Sequence, residues 1–295
     1  MSLVPLSKRD GIIWMNGEWI QWKDANVHFL THGLHYASAV FEGVRVYNGA
    51  VFKNTQHNIR FHQSADLLGF KIPYSVEILD NVCNEICKKN NLTNCYIRPL
   101  AWLGGQDLKI YVPELEVNVA IAAWDMGKYF SQEAKIAGIK VCLSKYKRPS
   151  PESAPTSSKA AGLYMICTMS KRDAHHKGFD DALMLDYRGY LAEFTGANLF
   201  LIINNEIHTP LADCFLKGIT RDTVIELAKS LNYKVVERHI MPEELSGAQD
   251  VFLTGTAAEI TRVSHIDMGD AKYNYKPHDI TKTLMNKFFD IVNSL

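Results

Sequence analysis

Two-residue turns set between short apolar runs constrain this chain more than any other feature. Asn16-Gly17 separates Ile12-Ile13-Trp14-Met15 from Glu18-Trp19-Ile20-Gln21-Trp22, and Asn48-Gly49 separates Val44–Tyr47 from Ala50–Phe52. Asn-Gly accepts positive φ at both central positions, so each pair of runs folds back on itself as a type I′ hairpin. Arg188-Gly189, within Ala182 to Glu193, and Asn204-Asn205, within Leu199 to Thr209, predict two further strand pairs. Helices are predicted from Asn54 or Thr55 to about Gly69 and from the cap Ser75 to Asn90. Others run from about Ala160 to His176 with Gly178 as the stop, from Thr220 to Leu231, and onward from Asp279. Single strands are expected at Cys95–Trp102, Val117–Trp124 and Asp250–Thr254. Hairpins instead of βαβ repeats define an α+β fold.

At about 150 residues per domain, a chain of 295 residues suggests two such units. The expected division is a small N-terminal α+β domain over 1–124, an interdomain loop over 125–135, and a larger C-terminal domain over 136–295. Gly127 interrupts the pattern at that boundary. Thirty-two Lys+Arg balance 32 Asp+Glu, which removes the charge footprint that nucleic acid or an anionic lipid surface would require. The longest apolar runs, Val119–Trp124 and Leu199–Ile203, fall far short of a bilayer-spanning helix. No apolar stretch of signal-peptide length follows Lys8, Arg9 and Asp10, so a cytoplasmic location is expected. None of the cysteines forms a CxxC, which favours reduced thiols. Cys83 and Cys87 share a helix face, as packing residues do.

Chemistry concentrates at four places. Lys159 stands between a Pro/Ser-rich loop and the start of a predicted helix, whose positive end would weaken the hold of its amine on a proton. An amine nucleophile needs that property. Lys217-Gly218-Ile219-Thr220-Arg221-Asp222 opens another helix, where Gly218 permits an unusual backbone angle and the N–H groups of Ile219 and Thr220 converge on an anion. Gly255-Thr256-Ala257-Ala258 is a small-residue turn that exposes backbone donors and a hydroxyl directly after a strand. Two anion-binding turns and one poised lysine suggest a phosphorylated carbonyl cofactor more than a phosphorylated substrate. Glu193 brings a carboxylate to the edge of an apolar run, where a protonated ring nitrogen would serve as its partner. A metal-binding protein is the competing class, because His28, His32 and His35 are spaced for one helical face, with His57 and His62 downstream. Gly33 breaks that helix, and no metal is expected.

The run from Glu193 through Asn198-Leu199-Phe200, Ile207-His208-Thr209 and Leu216-Lys217-Gly218-Ile219-Thr220-Arg221 resembles the signature of the class IV, or fold type IV, pyridoxal-phosphate aminotransferases. Gly33-Leu34-His35-Tyr36, Val40-Phe41-Glu42-Gly43, Tyr96-Ile97-Arg98-Pro99, Pro155-Thr156 ahead of Lys159, and Gly255-Thr256-Ala257-Ala258-Glu259-Ile260 extend the similarity to the branched-chain amino-acid aminotransferases over essentially the whole chain. The resemblance implies that Lys159 carries a Schiff base to pyridoxal 5′-phosphate and that Glu193 pairs with the pyridine nitrogen. It implies further that Tyr164 bonds the phenolic oxygen, while Arg60, Ile219, Thr220 and Thr256 surround the phosphate. For substrate, Phe41, Tyr36 and Tyr129 are similar to the family's apolar walls, and Arg98 with the tyrosine hydroxyls resembles the groups that receive the distal carboxylate of glutamate. Tyr96 and the turn of Thr256, Ala257 and Ala258 hold the α-carboxylate. The resemblance also implies that Tyr36 and the loop around Leu108 and Ile110 reach into a neighbouring subunit's site, and so at least a homodimer. The implied reaction is ping-pong transfer of the amino group between leucine, isoleucine or valine and 2-oxoglutarate. D-amino-acid aminotransferases and aminodeoxychorismate lyase share the signature, but Tyr96-x-Arg98 together with Gly255–Ala258 favours the branched-chain branch. Two departures stand out: Met126 where an aromatic precedes Tyr129, and Lys217 where a small or apolar residue precedes Gly218.

Overall fold

Asn16 and Asn48 both adopt φ 51°, and the glycines after them follow at 94° and 89°. The first turn closes β1 (Ile12–Met15) on β2 (Glu18–Gln21). β3 (Ala39–Phe41) precedes the second hairpin, which joins β4 (Val44–Tyr47) to β5 (Ala50–Val51). The long strands β6 (Cys95–Leu103) and β7 (Val117–Trp124) complete an antiparallel sheet of order β2-β1-β7-β6-β4-β5, with β3 also paired to β6. α1 (His32–Tyr36) contains Gly33, contrary to the expectation that this glycine breaks a helix. A Cβ there would lie 3.1 Å from Trp102 Cβ, so the residue serves a close approach. α2 (Asn54–Leu67) and α3 (Val76–Lys89) pack against the sheet, and Ser75 Oγ accepts from the Ile78 N–H as the predicted cap. Along α3 the buried positions Leu79, Val82, Cys83, Ile86 and Cys87 recur at the helical period, and they join Phe61, Val119 and Ile121 in one core.

The second sheet is built from β8 (Ile139–Leu143), β9 (Asp181–Leu185), β10 (Leu191–Phe194), β11 (Asn198–Ile203) and β12 (Glu206–Pro210). It continues through β13 (Val235–Arg238), β14 (Asp250–Gly255), β15 (Glu259–Asp267) and β16 (Lys272–Asn274). Its order is β10-β9-β8-β15-β14-β11-β12-β13, with β16 on β15. β10 also pairs with β11 at Glu193↔Asn198, so β10, β9, β8, β15, β14 and β11 close into a ring. α4 (Gln132–Ala137) leads into β8, and α7 (Asp279–Asn293) ends the fold. The expectation of hairpins alone is corrected at three pairings. β8 runs parallel to β9 across α5 (Tyr164–His176) and parallel to β15 on its other side, and β12 runs parallel to β13 across α6 (Ile219–Ser230). Parallel neighbours need such crossovers, and neither β8 nor β13 is bounded by the turn residues that mark a hairpin.

The computed structural model describes residues 4–127 and 129–295, so Met1–Leu3 of the expected first domain and Lys128 of the expected interdomain loop lie outside it. Contacts divide the chain into two compact units, and the first takes in Ser158–Gly162 as well as the chain up to Gly127. That segment departs from the linear division at 136–295. α4 likewise begins inside the span expected to be loop. All six cysteines are buried and unpaired.

Candidate active site

Lys159 belongs to the first unit through its own backbone. Its N–H donates to Ser64 Oγ at 3.0 Å, Ser158 Oγ donates to the Ser64 carbonyl at 2.9 Å, and the Phe41 N–H donates to the Lys159 carbonyl at 3.2 Å. α2 and β3 therefore clamp the lysine from two sides. Its ammonium stands 5.0 Å from the centroid of the Phe41 ring, which also carries the Arg98 guanidinium at 4.6 Å. Burial, and then the positive charge of Arg60, push the amine down from 10.5 to about 8, while Glu42 and Tyr96 act in the opposite sense. The helix start expected next to Lys159 lies further along the chain. A 3-10 turn at Ala161–Leu163 intervenes, and α5 starts only at Tyr164.

Arg60, expected at a phosphate, has Nε 2.7 Å from Glu42 Oε1 and Nη2 2.9 Å from Glu42 Oε2. His57 Nδ1 donates to the same Oε2 at 2.7 Å. Burial alone would raise the Glu42 carboxyl, but the charge of Arg60 and the bonds from His57 and Arg60 hold it well below the usual carboxylate range. Burial also lowers His57, against the pull of Glu42. Sequence reasoning assigned no role to Glu42, although it lies within Val40-Phe41-Glu42-Gly43, and met His57 only as a metal candidate. Arg98 Nη2 donates to the Tyr96 hydroxyl at 3.1 Å. The Tyr36 hydroxyl donates to the Leu108 carbonyl at 2.8 Å, and Ile110 beyond it is 85% exposed.

In the second unit Glu193 sits where the ring of strands closes. Asn198, its cross-strand partner, donates from Nδ2 to Glu193 Oε2 at 3.2 Å and to the Leu216 carbonyl at 3.0 Å. The buried Arg148 stands 3.3 Å from Glu193 Oε1 and reaches Cys167 Sγ at 3.4 Å. Arg148 escaped notice in the sequence because it lies in the Pro/Ser-rich loop, far from Glu193 along the chain. Gly218 caps α6 with φ −75° and ψ 139°, so no unusual angle is required there. Its role is spatial, since a Cβ would come 2.2 Å from Asn198 Oδ1. No side chain caps this helix start among the described residues, and Thr220 is buried in its first turn. Thr256, Ala257 and Ala258 form the tight turn between β14 and β15, closed by the pairing Gly255↔Glu259. The Ala258 side chain packs into the core. Tyr164, on the first turn of α5, lines a cavity of about 480 Å³ with Tyr129, Thr168, Lys171 and Thr195.

Among the described residues the histidines do not gather into one cluster of potential ligands. His32 bonds Ser38 Oγ and the Lys109 carbonyl, His35 bonds the Phe29 carbonyl, and His57 bonds Glu42. Among the described residues one group of potential ligands is close enough for an ion, Asp186, Asp213 and Cys214, and there Arg188 pairs with both aspartates.

The first unit has an amine of lowered proton affinity, and the second has an uncapped helix start and a buried carboxylate with cationic company. Residues 39–266 match the model of the amino-transferase class IV family, and the chain belongs to that family. A relative from Rickettsia bellii (strain RML369-C), described as a probable branched-chain-amino-acid aminotransferase, is 42% identical over 281 residues, covering 95% of this chain and 96% of its own. The branched-chain aminotransferase of the thermophilic archaeon Thermoproteus uzoniensis, solved with norvaline, is similar with a TM-score of 0.91 at 32% identity, over 97% of this chain and 96% of its own. The branched-chain amino acid aminotransferase of Escherichia coli gives 0.90 at 36% identity over 97% and 96%. The architecture is fold type IV, and the relatives favour branched-chain aminotransferase chemistry over the D-amino-acid, lyase and metal-binding alternatives.

Proposed function

We propose that the chain uses pyridoxal 5′-phosphate to transfer the amino group of leucine, isoleucine or valine to 2-oxoglutarate, yielding branched 2-oxo acids and L-glutamate. The observation that carries this reading is the half-buried Lys159, clamped by Ser64 and Phe41, with its amine pushed down to about 8. The residues fit the cofactor: α6 presents an uncapped start packed tightly by Gly218 against Asn198, and Asn198 in turn holds Glu193. Lys159 would hold the aldehyde, Glu193 the ring nitrogen, Tyr164 the phenolic oxygen, and Arg60, Ile219, Thr220 and Thr256 the phosphate. When bound, the cofactor supplies a carbonyl for the amine and a protonated ring that accepts the electron pair released at the substrate's Cα.

The side chains of the protein do the rest. Nζ of Lys159 takes and returns the Cα proton, and an amine titrating near 8 can do both at neutral pH. Glu193, kept in ionic company by Arg148, holds a proton on the ring nitrogen. Phe41, Tyr36 and Tyr129 supply apolar walls for a branched side chain. Arg98 with the Tyr96 hydroxyl takes the distal carboxylate of glutamate, while Tyr96 and the N–H groups of Ala257 and Ala258 take the α-carboxylate. The proposal extends to a homodimer or larger assembly, supported by the exposed Ile110 and Tyr111 beside the Tyr36–Leu108 hydrogen bond. No helix among the described residues is long and apolar enough to cross a membrane, and a cytoplasmic location is supported by the six unpaired thiols.

The test is spectroscopic. Protein incubated with pyridoxal 5′-phosphate is expected to absorb near the visible edge, to lose that band on addition of L-leucine, and to regain it with 2-oxoglutarate. Lys159→Ala should never develop the band. A clear preference for D-alanine over L-leucine would overturn the substrate assignment.

A further inference from the structure

Glu42 has no role in the chemistry above, yet it lies among groups that act on Lys159. Its carboxylate is wholly buried, with one oxygen on Arg60 Nε and the other shared between Arg60 Nη2 and His57 Nδ1. Nδ1 donates here, so Glu42 faces a cation and a neutral donor together. The fork of two parallel bonds leaves the guanidinium little freedom to turn. His57, Arg60 and Ser64 lie on one face of α2, and Ser64 is the residue that grips the Lys159 backbone. One helix face thus carries both the anchor of the lysine and the cation whose field acts on its amine.

We propose that Glu42 is a positioning residue: it locks Arg60 in place and supplies the negative charge that stops Arg60 from driving the proton off Lys159 altogether. The groups acting on the amine are Arg60 from α2, Glu42 beyond β3, and Tyr96 and Arg98 from β6, with the Phe41 ring against it. Glu42 and Arg60 oppose each other at the amine, and burial is the dominant influence. Removing only the carboxylate charge uncovers Arg60 and favours the neutral amine. Loosening the packing would do the opposite, by readmitting water and letting the amine rise toward its ordinary 10.5.

This inference rests on Lys159 as the reacting amine, but its test does not need the bound cofactor. Full-length protein is treated with hydroxylamine to unblock the amine. The pH dependence of Lys159 acetylation by acetic anhydride is then read on the isolated peptide. Glu42→Gln is expected to move the midpoint about 1 pH unit below that of the unsubstituted protein; an unchanged or raised midpoint overturns the proposal. Should that variant not fold, the double variant Glu42→Gln with Arg60→Gln removes both charges and leaves no uncompensated cation in the core. Its midpoint is expected within a few tenths of the unsubstituted protein, and a midpoint near the ordinary lysine value overturns the proposal. Failure of borohydride to fix pyridoxal phosphate to Lys159 in the unsubstituted protein would instead sink the proposed function, leaving the titration readable.

Discussion

Lys159 titrates near 8 because its amine is buried beside Arg60, and the pH profile of the enzyme should carry that value. Below pH 8 the neutral amine falls tenfold per unit, so the rate of Cα proton removal in single-turnover experiments is expected to rise from pH 6 to 8 and level off above. A profile flat across that range would remove Lys159 as the base. Glu193→Ala removes the acceptor of Asn198 Nδ2 and the counter-charge of Arg148. The variant is expected to bind cofactor but to transfer amino groups about 10²-fold or more slowly, measured as the half-reaction with L-leucine. The residue types for this chemistry are legible in the sequence, since an amine at a loop end and a carboxylate entering an apolar run each require a partner. The partners are not legible. Arg148 and Glu193 are 3.3 Å apart in space but separated by much of a sheet along the chain, and no local pattern links them. The helix start beside Lys159 was misplaced for a related reason. The short turn at Ala161–Leu163 moved the helix start away, and the proton affinity was set by burial and by Arg60, from a different element.

Among the elements, α6 shows how a local signal can be right in outcome and wrong in cause. Gly218 precedes the helix as read, but with an ordinary φ, and what it provides is room for Asn198. Gly218→Ala is therefore expected to displace the Asn198 side chain from Glu193 and Leu216. The predicted loss is about 1–3 kcal/mol of stability, read as a lower thermal midpoint together with weaker pyridoxal phosphate binding. A substitution tolerated without either change would show that the room Gly218 leaves for Asn198 is not required. The hairpins at Asn16-Gly17 and Asn48-Gly49 and the cap at Ser75 follow from preferences that act over a few residues. β8 and β13 escape such reading, because a strand paired in parallel on both sides or at an edge announces itself by its neighbours and not by turns.

For the molecule as a whole, the buried Glu42–His57–Arg60 group ties stability to pH. His57 is lowered by burial, so between its ordinary value of 6.5 and its lower folded value the unfolded chain binds a proton that the folded chain does not. Glu42 is lowered as well, and the same imbalance begins below its ordinary 4.5. Both act in one direction: stability present at neutral pH is lost on acidification, first through His57 and then through Glu42. The thermal midpoint is expected to fall between pH 7 and 5, and His57→Gln, which cannot take up the proton, should flatten that part of the curve. Association is a second property at this scale. Sedimentation is expected to give at least a dimer, and Ile110→Asp should shift it toward monomer.

The chain's own sequence determined the hairpins and the cap at Ser75, because these depend on neighbours within a few residues, whereas the helix expected to be capped by Asn54 or Thr55 starts after Lys53 with no side-chain cap. Tertiary structure alone decided that β10 closes on β11 at Glu193, that Arg148 arrives beside it, and that Glu42 holds Arg60. Burial and charge compensation depend on groups that meet only after folding, and the proton affinity of a buried side chain is set by that company.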